Sequence, residues 1–283
     1  MNIDDHQENW LLGLVGGPRV VYSPSPRMHQ AALASCNLSG YYVTLDVEES
    51  DLPLLLNELA WGGYQGLNIT NPHKTAVQPY LCGFSDEALA IGSVNTLIMT
   101  DNGYYGENTD AGGFKAAYLD DLENPEDKKA LILGAGGASR AVIASLKRSS
   151  VQPLLTSRDP AKTTLLAKEF EIEALPWDKM GPAGPFDVVV NTTSVSSPSE
   201  FSPSLPNISL NDNALVIDIN YGRVGNYFKD LAGQYRASFR DGLAMLAQQA
   251  RLSFNHWTTK DPGLNPFLTA LEGYIGEKKR AAN

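Results

Sequence analysis

The sequence predicts an α/β protein that is divided into two domains. Its 283 residues are enough for one large domain or two ordinary ones. Short apolar runs that resemble strands alternate with runs of helical spacing, as in parallel sheets joined by crossover helices. A charged segment with a proline, residues 120–129, separates an earlier group of such runs from a later one. We therefore place the domain junction near this segment.

The first group of runs predicts three strands and two helices before a hairpin. The strands cover residues 11–15, 41–47 and 64–70, and the helices cover residues 28–36 and 52–61. Two further strand-like runs, 93–100 and 103–108, flank a short turn that contains Asp101, Asn102 and Gly103. Turns of this composition favour a β-hairpin.

The second group predicts a regular succession of strands and helices. Its strands cover residues 130–134, 151–157, 186–193 and 214–220, and its helices cover residues 137–147, 161–170 and 242–257. The two later strands each contain an uninterrupted apolar run, which is typical of parallel strands buried on both faces. The connection over residues 194–210 is rich in serine and proline, and we expect it to be exposed.

Composition excludes several classes of function. The net charge of −10 disfavours nucleic acid as a general partner. No apolar run approaches the roughly 18 residues of a membrane span, and the acidic N-terminus differs from targeting segments, so we expect a cytoplasmic protein. Cys36 and Cys82 lie far apart and in no metal-ligand spacing; we expect them to be reduced and half-buried, and we predict no metal site.

A glycine-rich turn between a predicted strand and helix is the strongest local motif. Gly134 and Gly136 match the first two glycines of the dinucleotide fingerprint G-x-G-x-x-G/A, and Ser139 occupies the third position. Glycine lets the backbone approach a pyrophosphate, which the N–H groups at the start of the helix then face. We predict a Rossmann-type dinucleotide-binding domain; the alternative is a tight turn without a ligand.

The end of the following strand indicates which nucleotide binds. An acidic residue there holds the ribose diol of NAD, whereas a guanidinium suits the 2′-phosphate of NADP. The chain has Ser157, Arg158 and Asp159 at this point, with Lys162 close behind. Arg158 and Lys162 favour NADP, while Asp159 leaves NAD as an alternative. The alternative to a phosphate-binding role is that Arg158 and Lys162 are solvated charges around a helix start.

Four polar clusters occur in the first domain. Ser23 and Ser25 lie two residues apart on a proline-stiffened segment, so their hydroxyls can form a fork for a carboxylate. The other three clusters are Asn68-Ile69-Thr70 with Lys74, Ser93-Val94-Asn95-Thr96, and Asn108-Thr109-Asp110. Taken singly, each is also typical of a loop or a helix cap, as for Asp110 before a helical run.

Together the motifs resemble one family. In chain order they are S-P-S-P, N-I-T-x-P-x-K, G-S-V-N-T, G-x-N-T-D-x-x-G, G-A-G-G-A and D-G-x-x-M-L-x-x-Q-A. This set resembles the shikimate dehydrogenases and their quinate/shikimate dehydrogenase relatives, over about residues 11 to 260. The resemblance implies a substrate-binding catalytic domain at 1–110, completed by 243–283 with a C-terminal helix packed back on it. It implies an NADP-binding Rossmann-like domain at 111–242.

The resemblance also implies roles for individual residues. Lys74 and Asp110 would be the catalytic pair. Substrate would be bound by Ser23, Ser25, Thr70, Asn95, Tyr221 and Gln249. The pyrophosphate would lie against Gly134, Gly136, Gly137 and Ala138, and the nicotinamide side would be lined by Thr193, Ile219 and Gly242. Departures from the family pattern occur at Ser157 to Asp159, after Ser194 and after Tyr221.

The implied reaction interconverts shikimate and 3-dehydroshikimate with NADP. Hydride moves to or from the nicotinamide, and Lys74 exchanges the proton of the hydroxyl. The site would lie between the domains, with hinges near 106–112 and 238–244. Open alternatives are an NAD-using quinate/shikimate dehydrogenase, a catalytically silent nucleotide-binding relative, and a dehydrogenase for an amino acid or a folate carbon. We expect a monomer or homodimer.

Overall fold

The computed structural model describes residues 9–197, 199, 208–222 and 225–281. The chain forms two compact units, Met1–Gly113 with Ala247–Asn283 and Phe114–Leu246. The chain passes from the first unit to the second within one helix and returns within another. The outward crossing therefore precedes the charged segment 120–129 that the sequence analysis placed near the junction.

The first unit contains six strands with helices between and after them. In chain order its elements are β1 (Trp10–Gly16), α1 (Ser25–Ser35), β2 (Gly40–Asp46), α2 (Leu52–Trp61), β3 (Gly66–Ile69), β4 (Gly83–Phe84), α3 (Asp86–Ile91), β5 (Thr96–Thr100), β6 (Gly103–Glu107) and the start of α4 (Asp110–Tyr118). The end of α9 (Leu243–Thr258) and α10 (Asn265–Ala281) complete it.

The sheet of the first unit is mixed, in the order β2-β1-β3-β5-β6-β4. β1 pairs in parallel with β2 and β3, as the alternation of strands and helices predicted. β5 is antiparallel to both β3 and β6, and β5 and β6 form the predicted hairpin. Lys74 and Asp110 follow the ends of β3 and β6, and Asn95 precedes β5.

The C-terminal helices close one face of the first unit. The indole of Trp257 on α9 donates from Nε1 to the carbonyl of Leu97, 2.9 Å away. A Cβ at Gly66 on β3 would lie 2.4 Å from that indole, so only glycine leaves room for it. The fully buried His29 of α1 packs against Tyr42, Phe254 and Phe267. The prediction of a C-terminal helix packed on the first domain is confirmed.

The second unit is a parallel sheet in the order β12-β11-β10-β7-β8-β9. Its elements are the end of α4, β7 (Lys129–Leu133), α5 (Gly137–Arg148), β8 (Gln152–Thr156), α6 (Pro160–Glu169), β9 (Glu173–Ala174), α7 (Met180–Ala183), β10 (Phe186–Asn191), β11 (Leu210–Asp218), α8 (Tyr227–Gln234), β12 (Ser238–Asp241) and the start of α9. The order reverses at β7, as in doubly wound nucleotide-binding sheets. The predicted fold class is confirmed.

Two details of the sequence analysis are wrong. The connection over residues 194–210 is not exposed throughout, because Ser196 and Ile208 are buried; residues 198 and 200–207 lie outside the described residues. Ile208 belongs to the core of the second unit, next to Phe186 and Leu210. Cys36 is half-buried as expected, but Cys82 is exposed; neither forms a disulfide. No helix within the described ranges has the length and apolar character needed to cross a membrane.

Candidate active site

The structure brings Lys74 and Asp110 together although 36 residues separate them. Lys74 lies in the turns that follow β3, and Asp110 is the first residue of α4. The ammonium nitrogen of Lys74 is 2.5 Å from Oδ2 of Asp110, and the two side chains are only 19% and 8% exposed. A largely buried ion pair of this kind holds a proton-bearing group in a defined position.

Asn95 holds the second oxygen of the Asp110 carboxylate. Its Nδ2 donates to Oδ1 of Asp110 across 3.0 Å. The orientation of this amide is unambiguous, since its Oδ1 accepts from the backbone N–H of Thr109 at 2.7 Å, and a backbone N–H can only donate. Nδ2 also lies 3.3 Å from Oε1 of Gln249, so two predicted substrate residues meet beside the ion pair.

A buried polar network supports Asn95 from behind. Asn68 donates from Nδ2 to the carbonyl of Asn95 and to the hydroxyl of Ser253, at 3.1 and 3.0 Å. Ser253 also contacts the hydroxyls of Thr96 and Thr109, at 2.8 and 3.0 Å. No motif in the sequence predicted a role for Ser253. The sequence does show that Ser253 lies one helical turn after Gln249 and therefore on the same helix face. In the structure its hydroxyl donates to the carbonyl of Gln249.

The two serines of the predicted carboxylate fork lie side by side. The hydroxyl of Ser23 donates to that of Ser25 across 3.0 Å, and Ser25 begins α1. Thr70 follows β3, where its N–H donates to the carbonyl of Val15 at 2.9 Å. The Thr70 methyl group fills the space that a Cβ at Gly16 would need, 2.4 Å away. These three hydroxyl residues, like Lys74, Asp110, Asn95 and Gln249, belong to the first unit.

The glycine loop joins β7 to α5 in the second unit. Gly134 has φ +116°, a conformation suited to glycine, and an added Cβ would lie 2.5 Å from Oγ1 of Thr192. A Cβ at Gly136 would meet open space, so a ligand can approach the backbone there. Ser139 explains the missing third glycine, because its buried hydroxyl accepts from the N–H of Gly136 and bonds Thr192 at 2.7 Å.

Asp159, the residue that supported NAD, is engaged in capping α6. Its Oδ1 accepts from the N–H groups of Ala161 and Lys162, both at 3.1 Å. The hydrogen bond from the Lys162 backbone is the main reason that the pKa of this carboxyl is lowered. Arg158 is exposed beside it, and the hydroxyl of Ser157 pairs with Thr163 at 2.7 Å. The cap uses only Oδ1 of Asp159, and Oδ2 lies 3.6 Å from the ammonium nitrogen of Lys162.

The three residues predicted on the nicotinamide side lie together at the carboxyl edge of the second sheet. Asn191 accepts from the N–H and the hydroxyl of Thr193, at 3.1 and 2.7 Å, and its carbonyl accepts from the N–H of Ile219. A Cβ at Gly242 would lie 1.9 Å from the carbonyl oxygen of Ile219, so glycine is required there. Tyr221 follows Ile219 by two residues and is half-buried; residues 223 and 224 lie outside the described residues.

Comparison with known proteins gives the same assignment as the motifs. The family model for the shikimate dehydrogenase substrate binding domain matches residues 14–97. A shikimate dehydrogenase (NADP(+)) of Thermus thermophilus is 36% identical, with 90% of this chain and 94% of that protein covered. A crystal structure of the shikimate 5-dehydrogenase of Thermus thermophilus with NADP(H) and shikimate is 32% identical, with 94% of this chain and 99% of that chain covered and a TM-score of 0.82.

A similar solved structure contains the other nicotinamide cofactor. The structure of a quinate dehydrogenase from Corynebacterium glutamicum in complex with NAD is 26% identical, with 94% of this chain and 99% of that chain covered and a TM-score of 0.81. The predicted resemblance is confirmed by the higher identity and near-complete coverage of the NADP(+) relatives. The chain belongs to the shikimate dehydrogenase family.

Proposed function

We propose that this chain is an NADP-dependent shikimate dehydrogenase in which Lys74 handles the proton and Asp110 holds Lys74 in place. The contact between the Lys74 ammonium and the Asp110 carboxylate carries the proposal. Reducing a ketone to a secondary alcohol needs a hydride at carbon and a proton at oxygen. Bound NADPH supplies the hydride, and the lysine ammonium is the proton donor within the first unit.

Asp110 and Asn95 serve Lys74 rather than the hydride step. Asp110 accepts from Lys74 with one oxygen and from Asn95 with the other, so the carboxylate is fixed from two sides. A fixed carboxylate restricts the ammonium to one place, which favours proton transfer to the oxygen of a correctly bound substrate. In the oxidative direction the neutral amine accepts the proton back at the same atom.

The remaining predicted substrate residues provide neutral hydrogen-bonding groups. The hydroxyls of Ser23 and Ser25 suit the carboxylate of shikimate, and Thr70, Asn95 and Gln249 suit its ring hydroxyls. Tyr221 of the second unit is proposed as a further substrate contact. A buried polar group that loses its partner costs about 1–3 kcal/mol, so each missing hydroxyl should lower kcat/KM for an analogue about ten- to a hundredfold.

The residues of the second unit fit NADP. The open space at Gly136 admits a pyrophosphate at the start of α5, and Gly137 and Ala138 continue that turn. Arg158 and Lys162 provide the charge for a 2′-phosphate, beside Ser157. Asp159 caps α6 with Oδ1 and lies 3.6 Å from the Lys162 ammonium through Oδ2, so Arg158 is the main candidate for the phosphate. The cytoplasmic location and the monomeric or homodimeric state stay predictions.

A four-way assay tests this function. Shikimate and quinate are each supplied with NADP⁺ and with NAD⁺, and reduced cofactor is followed by absorbance at 340 nm. We expect shikimate with NADP⁺ to give the highest kcat/KM. A preference for quinate with NAD⁺ would show that the chain is instead an NAD-using quinate/shikimate dehydrogenase. A folded protein that binds dinucleotide but turns over none of the four pairs would be a catalytically silent relative.

A further inference from the structure

Asp218 is a buried carboxylate at the carboxyl end of β11 that the proposed chemistry does not use. It is fully buried, and it ends a run of apolar residues. Its Oδ1 accepts from Nδ2 of Asn191 at 2.8 Å, and from the N–H and Nδ2 of Asn220 at 3.1 and 2.8 Å. Its Oδ2 accepts from Nδ2 of Asn226 at 2.7 Å. Four N–H donors thus offset the cost of removing the carboxylate from water.

The orientation of all three asparagine amides is determined by partners that have only one possible role. Oδ1 of Asn191 accepts from the backbone N–H of Thr193, and Oδ1 of Asn226 accepts from the backbone N–H groups of Phe228 and Lys229. Nδ2 of Asn220 faces the carbonyl of Thr193, which can only accept. Each amide therefore presents its NH₂ group to Asp218, and only a side chain with two accepting oxygens satisfies all of them.

The outer ends of this cluster hold the residues predicted beside the nicotinamide. Thr193 is held on both sides, because Asn191 accepts from its N–H and hydroxyl while Asn220 donates to its carbonyl at 2.8 Å. Ile219 donates its N–H to the carbonyl of Asn191, and Gly242 donates its N–H to the carbonyl of Asn220, both at 3.1 Å. Three separate loops are joined through two asparagines that both bind Asp218.

We propose that Asp218 is a positioning residue that sets the nicotinamide end of the cofactor site through Asn191 and Asn220. Because Asp218 is fully buried, it acts through these neighbours, and it fixes Thr193, Ile219 and Gly242 relative to one another. This inference rests on the proposed function, because it concerns where the nicotinamide ring lies during hydride transfer. Displacement of about 1 Å at a reacting centre is enough to lower a rate about a hundredfold.

The Asp218→Asn variant tests the role. An asparagine must place its own NH₂ group against one of the facing amides, so one N–H donor loses its acceptor and the loop arrangement loosens. We expect the dissociation constant of NADP⁺ to rise about tenfold. The dissociation constant of 2′-phospho-ADP-ribose, which has the same adenosine phosphates and pyrophosphate but no nicotinamide, should change by less than about twofold. Titration calorimetry measures both.

A second measurement reports the hydride step itself. If the ring is displaced, hydride transfer becomes slower relative to the other steps. The isotope effect on kcat, measured with NADPH carrying deuterium at the transferred C4 position, should therefore increase in the variant. A role limited to protein stability would lower the melting temperature without changing the ratio of the two dissociation constants or the isotope effect.

Asn220→Ala is the second variant, because Asn220 is only half-buried and its loss is better tolerated than a change at Asp218. It removes the hydrogen bond to the Thr193 carbonyl and should have the same two effects. Asp187→Asn is the matched control: Asp187 lies at the opposite end of β10, where it accepts from the N–H of Lys129 and from Asn211. In this control, the ratio of the two dissociation constants and the isotope effect should both stay as in the unsubstituted protein.

The outcomes separate this inference from the proposed function. An active protein whose two variants bind NADP⁺ and 2′-phospho-ADP-ribose in the unsubstituted ratio, with unchanged isotope effects, overturns the role of Asp218 alone. An unsubstituted protein that binds NADP⁺ but does not oxidise shikimate overturns the proposed function. In that case the two binding measurements still decide whether Asp218 positions the nicotinamide.

Discussion

Individual side chains determine the chemistry proposed for the first unit. Lys74 and Asn95 lie in two loops and Asp110 begins α4, and their side chains meet through two hydrogen bonds. The backbone N–H of Thr109 settles the orientation of Asn95 and thereby directs its NH₂ group to Asp110. These contacts support the proposed roles, in which Lys74 exchanges the proton and the two other side chains hold it in place.

Replacing Lys74 by methionine should abolish most of the activity. Methionine retains much of the length of the side chain but has no proton to exchange, so kcat should fall by at least about a hundredfold. The matched control is Lys115→Met, since Lys115 also pairs with an aspartate, Asp120, but both side chains are about half exposed. Steady-state kinetics with shikimate measures the effect. A Lys74→Met protein with near-normal turnover would exclude Lys74 as the proton donor.

Replacing Arg158 by alanine should affect the two nicotinamide cofactors differently. The guanidinium is proposed to bind a 2′-phosphate that NAD lacks, so KM for NADP⁺ should rise about ten- to a hundredfold while KM for NAD⁺ stays unchanged. Lys168→Ala, an exposed cation farther along α6, is the control. Equal KM values for NADP⁺ in the Arg158→Ala and unsubstituted proteins would contradict the phosphate role.

Helices and strands place these side chains. The position of Gln249 depends on one close contact between two helices. A Cβ at Gly113 on α4 would lie 2.8 Å from the backbone nitrogen and the Cβ of Gln249 on α9. A Cβ at Gly112 would meet only the terminal methyl group of Leu252, at 3.0 Å. The two glycines are adjacent in the sequence, yet only the first of these contacts involves backbone, which cannot rotate away.

Gly113→Ala should therefore separate α4 from α9 at Gln249, a residue proposed to bind substrate. We expect a loss of about 1–3 kcal/mol in the free energy of unfolding and an increase in KM for shikimate, because Gln249 moves with its helix. Gly112→Ala is the matched control; there the helix propensity gained, about 0.5–1 kcal/mol, offsets a small shift of Leu252. Denaturant unfolding and steady-state kinetics measure both variants. Equal effects of the two substitutions would argue against the proposed contact.

The predictability of the elements depended on their length and on their neighbours. The helix over 52–61 was predicted with the bounds that α2 has, because its apolar residues repeat regularly and Pro53 marks its start. α3 was missed, since its six residues are too few for a periodic pattern, although Ser85 caps it. α10 was also missed, because Gly273 and Gly276 lower its intrinsic helix propensity. Its packing against α1 is tertiary structure, which the local sequence does not show.

Predictability of the candidate site followed a different rule. The meeting of Lys74 and Asp110 depends on tertiary structure, so only the resemblance to a family suggested it in advance. Ser253 and Asp218 were not predicted, because a single polar residue within an apolar helix or strand is compatible with many surroundings. Their partners lie in distant loops, and only coordinates show that four hydrogen bonds converge on Asp218.

The stability of the full chain should depend on pH through His29. Burial lowers the pKa of this imidazole to about 3, from an ordinary value of 6.5. Below pH 6.5 the unfolded chain takes up a proton that the folded chain does not accept until about pH 3. The free energy of unfolding therefore falls as the pH is lowered through this window, by up to about 1.4 kcal/mol per pH unit. Above pH 6.5 this contribution is constant.

His29→Phe should remove that part of the pH dependence. Phenylalanine keeps an aromatic ring beside Tyr42 and Phe267 but has no proton to gain. Comparing the two proteins by denaturant unfolding at pH 8 isolates the packing change, and repeating the comparison at pH 5 adds the protonation effect. The free-energy difference between the proteins should shift in favour of the variant by about 2 kcal/mol at the lower pH. An unchanged difference would show that His29 does not contribute.

The discontinuous first unit has a consequence for biosynthesis. Its sheet is complete by residue 107, but the space above Gly66 is filled by Trp257, and His29 packs on Phe254 and Phe267. A ribosome therefore releases the strands of this unit long before the aromatic residues that cover them. The segment Phe114–Leu246 is continuous and emerges in between. The nucleotide-binding half can finish folding during translation, whereas the half made first must wait for the last helices.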